Sequence, residues 1–187
     1  MSTLTREMLE SVFAPEELLT APQSILGPVA NADAAEVLST LGIPHWENPW
    51  FDMDDKIGTR LEPITDWDWR LPDRYEHIPP GADHWIGLGL VPYDDLAFDP
   101  ATGEVFCLPD DAEIYRINSS LRAFVHFHYL LKSTKPEWDF NGSRTADPEM
   151  LRLRLREAMA EVDRSALEIP DSCWPRLLDH IVNPEVL

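Results

Sequence analysis

The stretch LAFDPATGEVFCL, residues 96–108, limits the possible folds more than any other part of the chain. Two short apolar runs, Leu96–Phe98 and Val105–Leu108, flank Asp99-Pro100-Ala101-Thr102-Gly103. Pro100 presets a turn, and Gly103 can take the left-handed conformation that closes a longer hairpin loop. The two runs are therefore expected to pair antiparallel. HWIGLGLV (84–91) before them and EIYRI (113–117) after them read as further strands, so the spacing predicts a meander.

Helical periodicity surrounds this β region. TLTREMLESVF, near the N-terminus, carries a stripe of Leu4, Met8, Leu9 and Val12, with Thr5 as cap. NADAAEVLSTLGIP predicts a second helix, capped by Asn31 or Asp33 and ended by Gly42 and Pro44. INSSLRAFVHFHYLL (117–131) predicts a helix capped by Asn118 or Ser119, with Leu121, Phe124, Val125, His128 and Leu131 on one face. DPEMLRLRLREAMAEVDRSA predicts a long helix with Asp147 as cap and Pro148 at its first position. WPRLLDHIV predicts the last one. The Trp-, Asp- and Pro-rich residues 45–84 predict short strands near 57–64 and 66–70. The order of elements predicts an α+β fold, a mainly antiparallel meander flanked by helices. A length of 187 residues suits a single domain, with a core over about residues 31–131 and a helical tail over 135–187 packed on it.

Charge is the clearest compositional signal. The chain carries 34 acids and 15 bases, a net charge of −19. From Glu47 to Arg116 there are 17 acids and 5 bases, whereas from Ile117 onward 11 acids face 9 bases. The acidic surface belongs to the middle of the chain. Such a surface repels nucleic-acid backbones and anionic membranes, and it favours a basic protein partner. Cys107 and Cys173 stand alone rather than in a C-x-x-C motif, which fits a reducing compartment. The N-terminus lacks the apolar segment of a signal peptide, and no apolar run approaches the ~18 residues of a membrane span. A cytoplasmic location is expected.

Several constellations could suggest chemistry. His126 and His128 form an H-x-H pair, but on a helix they lie about 200° apart and cannot chelate one metal. His128 is expected at the core edge, against a carbonyl or carboxylate. Ser119 and Ser120 read as capping groups, since no nucleophile elbow surrounds them. Asp52/Asp54 and Asp66/Asp68 are D-x-D pairs that could hold a hard cation if each lay on a strand. Gly87 and Gly89 lack the third glycine of a dinucleotide fingerprint, and no cofactor is expected. Trp46, Trp50, Phe51, Trp67 and Trp69 are either core aromatics, the simpler reading, or anchors on a binding surface.

Four features recur in a fixed order: LGIP (41–44), WIGLG (85–89), AFDPATGEVFCL (97–108) and INSSLRAFV (117–125). In these the chain resembles the SUKH superfamily, specifically its fourth immunity-protein subfamily, over roughly residues 34–131. The resemblance implies a sheet flanked by helices and a protein with no catalytic residues. It also implies a cytoplasmic role: binding and neutralising a cognate polymorphic toxin, often a nuclease or nucleic-acid deaminase. The long 46–84 segment and the tail after residue 135 depart from a minimal pattern. Joined to the charge asymmetry, the resemblance makes Asp52, Asp54, Asp55, Asp66, Trp67, Asp68, Asp94 and Asp95 the candidate partner-binding set. An intracellular regulatory interaction domain and a carboxylate–metal enzyme are the alternative readings.

Overall fold

The computed structural model describes residues 3–92, 94–140 and 147–184. Its strands are β1 (Leu18–Leu19), β2 (Ile43–Pro44), β3 (Asp52–Met53), β4 (Ile86–Val91), β5 (Asp94–Phe98), β6 (Val105–Leu108) and β7 (Tyr115–Asn118). Its helices are α1 (Arg6–Glu10), α2 (Ala32–Glu36), α3 (Leu71–Arg74), α4 (Leu121–Ser133), α5 (Lys135–Trp138), α6 (Pro148–Asp163) and α7 (Cys173–Val182). The strands β3 to β7 form an antiparallel sheet in sequential order, and β1 pairs with β2 in a separate small ribbon. The fold is α+β, with the meander that the hairpin signal predicts.

The hairpin itself closes as its residues dictate. Gly103 takes φ 81°, and its N–H donates to Asp99 O at 2.8 Å. The tip then docks on α2. Asn31 caps that helix by accepting from Ala34 N at 2.9 Å, and its Nδ2 donates to Thr102 O at 2.8 Å. One side chain therefore fixes a helix start and the hairpin at once. The helix continues as a π-helical turn over Val37–Leu41 and stops at Gly42, where φ is 85°.

Alternation along the strands divides the core in two. Leu88, Leu96, Phe98, Val105, Cys107 and Ile117 point to the helical side. There they meet α4 (Phe124, Val125, Phe127, Leu131), α6 (Leu155, Met159) and α7 (Trp174, Leu177, Leu178). Ala97 and Leu108 point the other way, into a second cluster with Ile64, Leu71, Tyr75 and Trp85. Trp85 stacks on Phe106 with ring centroids 4.0 Å apart and planes 13° apart.

That second cluster corrects the expectation for residues 45–84. No strand forms over 57–64 or 66–70. These stretches hold 3-10 turns at Asp55–Gly58 and Ile64–Asp66, and only Pro63 makes a lone bridge, to Ile86. The prolines remove ladder donors, and the segment gains more by covering the open face of the sheet with Trp and Leu than by pairing. Trp46, Trp50 and Phe51 are buried on the helical side. Trp67 and Trp69 are half-buried and pack against the second cluster.

A second correction concerns α4. Ser120 is its cap, as one of the two serines read as capping groups, and accepts from Ala123 N at 3.1 Å; Asn118 and Ser119 do not cap it. Asn118 is instead the last residue of β7 and is fully buried. Its Oδ1 accepts from Trp174 Nε1 at 2.9 Å, and Asp163 Oδ2 accepts from Ser119 N at 2.6 Å. The polar pair expected to start a helix therefore ties the C-terminal helices to the sheet.

Candidate partner-binding surface

The two histidines of α4 serve packing. His128 is fully buried in the middle of the core, not at its edge. Its Nδ1 accepts from Trp46 Nε1 at 3.3 Å, so its partner is an indole rather than a carbonyl or carboxylate. Burial pushes its pKa down to about 3. His126 lies half-buried on another side of the helix. The thiols are equally withdrawn. Cys107 and Cys173 are both buried, and burial raises the Cys107 pKa to about 12 and drives that of Cys173 well up.

The acidic candidates fall into three places. Asp52 and Asp54 belong to β3 and the turn after it. Asp54 N–H extends the sheet by donating to Leu88 O at 2.9 Å, while its carboxylate accepts from Lys56 N at 2.9 Å and caps the turn. Asp55 follows, exposed. β3 can lie this close to β4 because position 89 is glycine. A Cβ there would collide with Asp52 O, and the backbone sits at φ 139°.

Asp66, Trp67 and Asp68 lie on the segment covering the second face. Asp66 is held by Arg60 at 2.6 Å, Asp68 is exposed, and Trp67 lies over Gly87, where a Cβ would come within 2.9 Å of its ring. Neither D-x-D pair shares a strand face. One member of the first is taken up by a turn cap, and the second stands outside any strand. Among the described residues no three His, Cys, Asp or Glu side chains gather as a metal site would need.

Asp94 and Asp95 begin β5 and point to opposite faces. Asp95 is opposite Leu90, and Leu90 is opposite Asp52. This register sets Asp52, the exposed Leu90 and Asp95 in one row, the two acids about 10 Å apart by two strand spacings. Asp95 is occupied. It lies beside the Trp69 side chain and faces Arg74 at 3.7 Å, and Arg74 also binds Asp110 at 2.6 Å and stacks 3.9 Å over Trp69. Asp94, on the helical side, borders a narrow cleft of about 40 Å³ walled by Trp50, Val91, Tyr115 and Leu177, with Arg176 across from it. Burial pushes the carboxyls of both Asp94 and Asp95 above the ordinary carboxylate range.

Basic side chains of the acidic segment are largely consumed within it. Arg60 pairs with Glu62 and Asp66, Arg74 with Asp95 and Asp110, and Arg116 with Glu104. The exposed acids Asp52, Asp55, Asp68, Asp73, Asp83 and Asp111 form no ion pair of 4.0 Å or less with Lys or Arg among the described residues. The sequence pointed to this surface through charge counting. It gave no sign of Leu90 or Arg176, since only strand register and helix packing bring them beside the acids.

The scaffold is α+β, and its acidic segment carries the half-buried Trp67 and Trp69. The chain belongs to the SUKH-4 immunity protein family, whose model matches residues 4–180. The matched range includes the Trp/Asp-rich segment and most of the C-terminal helical region. No curated protein and no solved structure matches the chain. No helix among the described residues is long and apolar enough to cross a membrane.

Proposed function

We propose that this protein neutralises a basic toxin, a nuclease or nucleic-acid deaminase, by laying its 47–116 surface over the toxin's active-site cleft. Family membership supports an immunity function with a cognate toxin as partner. The observation that carries the finer reading is the twelve-charge acidic excess between Glu47 and Arg116, carried by the sheet and the segment that covers it. A cleft built to hold phosphate attracts such a surface, and opposite charge accelerates the encounter. In this reading the chain acts as one SUKH-like unit in the cytoplasm. It binds through Asp52, Asp54, Asp55, Asp66, Trp67, Asp68, Asp94 and Asp95, and it has no catalytic step of its own.

The test begins with capture of the partner from the native cell, followed by co-expression. Wild type should rescue cells from the captured toxin. Asp55→Lys combined with Asp68→Lys should slow association about tenfold or more at low salt and weaken rescue. Both carboxylates are exposed, so the fold should tolerate the change. Full neutralisation by the double variant would remove the electrostatic reading.

A further inference from the structure

We propose that the cleft between the start of β5 and α7 is the anchor pocket for one arginine side chain of the protein partner. Its guanidinium would pair with Asp94 and its stem would lie on Trp50, Val91 and Leu177. The inference rests on the immunity reading above and names the chemistry of its central contact.

Size is the first argument. The cleft encloses about 40 Å³. One water needs roughly 10–15 Å³ on such a measure, whereas small-molecule sites run to about 300–1,000 Å³. The space suits the end of a side chain and is too small for a nucleotide or metabolite.

Charge is the second. Asp94 and Asp95 are chain neighbours with opposite fates. Asp95 faces Arg74 at 3.7 Å, with the Trp69 side chain beside it. Asp94 lies near the backbone N–H of Asp110 and forms no ion pair among the described residues. Asp110 and Asp111 add negative potential around it, and among the described residues Arg176 is the cation that acts on it. A partly desolvated carboxylate crowded by two others is costly to keep unpaired, and a partner's cation would relieve that cost. The raised pKa of Asp94, from burial first and then from Asp111 and Asp110, agrees with this picture.

Wall chemistry is the third. Trp50 and Tyr115 border the cleft with Val91 and Leu177. Arginine is planar, weakly hydrated and stacks on aromatic faces, which makes it a better occupant than lysine. Binding hot spots commonly take this form, an arginine in an apolar pocket with a buried charge at its end.

The probe is a blocked Gly-Arg-Gly peptide titrated into the full chain, with the citrulline peptide as neutral isostere and methyl and amide NMR as readout. The arginine peptide should give saturable shifts at Val91, Cys173 and Leu177, and the citrulline peptide should not. Asp94→Asn should weaken binding about tenfold or more, and Asp94→Ser should do the same if the first variant proves unstable. Arg176→Ala should strengthen binding severalfold, because it removes a like charge. A partner acid docking on Arg176 would give the opposite sign. Wild-type titration by Asp94→Asn, or shifts centred on Asp52, Asp55 and Asp68, would overturn the proposal. If wild type protects cells while the peptide leaves the cleft untouched, the anchor fails and the immunity reading stands. If Asp94-dependent peptide binding occurs in a chain that protects against no captured toxin, the anchor chemistry stands and the immunity reading fails.

Discussion

Asp163 offers the most direct test of how the C-terminal helices are joined to the sheet. Its carboxylate is 6% exposed and accepts from Ser119 N at 2.6 Å, Ser165 Oγ at 2.7 Å and Asn118 Nδ2 at 3.3 Å. Asn118 in turn holds the indole of Trp174. Hydrogen bonds to a charged group contribute about 1.5–3 kcal/mol each and are not additive. The two short ones dominate, so Asp163→Ala should cost about 3 kcal/mol. For a chain of this size that corresponds to a fall in Tm of roughly 6–12 °C. Burial alone would raise the Asp163 pKa, but the hydrogen bonds from Ser119, Ser165 and Asn118 outweigh it and hold the carboxyl below its usual range. The pH dependence has a definite sign. A lowered folded pKa means the contribution is complete above the unfolded value of about 4 and is lost as pH falls through the folded one. Urea unfolding followed by far-UV circular dichroism should therefore show a constant gap between wild type and Asp163→Ala from pH 8 to pH 5, narrowing below about pH 4. A gap under about 1 kcal/mol at pH 7, or one that ignores pH down to 3, would refute the reasoning.

Other consequences follow from the same geometry. His128 is held neutral with its pKa near 3, far below the ordinary 6.5. Unfolded chains take up a proton there that folded ones do not, so this group should erode stability as pH drops from about 6.5 toward 3. His128→Phe should flatten the slope of unfolding free energy over that interval, at the cost of leaving Trp46 Nε1 without its acceptor. Gly89→Ala should destabilise by about 1–3 kcal/mol from backbone strain alone. It should release β3 first, seen as faster amide exchange at Asp54, because the new Cβ strikes Asp52 O. Cys107 and Cys173 should resist alkylation by iodoacetamide at pH 8 in the native state and react together on unfolding, since both thiols are buried with raised pKa values.

Much of this fold is local in origin, and such parts were readable. The 96–108 hairpin is written in Pro100 and Gly103, the start of α6 in Asp147-Pro148, and the end of the second helix in Gly42. Each is decided by φ, ψ and hydrogen bonds within a few residues. The sequence does not place residues 45–84 because the strand preference of their tryptophans depends on packing context, while their prolines only withhold ladder bonds. They settle where the sheet leaves an apolar face to cover. Asn118 and Ser119 were misassigned for a related reason: a capping group and a tertiary hydrogen-bond donor look alike until Asp163 arrives from 44 residues away.

The surface divides the same way. Sequence alone determined that the middle of the chain is acidic, because charge is a sum over residues and needs no coordinates. Only the tertiary structure decided which of those acids are free. Strand alternation sends Asp94 and Asp95 to opposite faces. Arg74 and Trp69 then engage one, and α7 builds an apolar cleft beside the other. Pairing depends on where distant side chains come to rest, and packing fixes that only once the sheet, its covering segment and the last helix are in place.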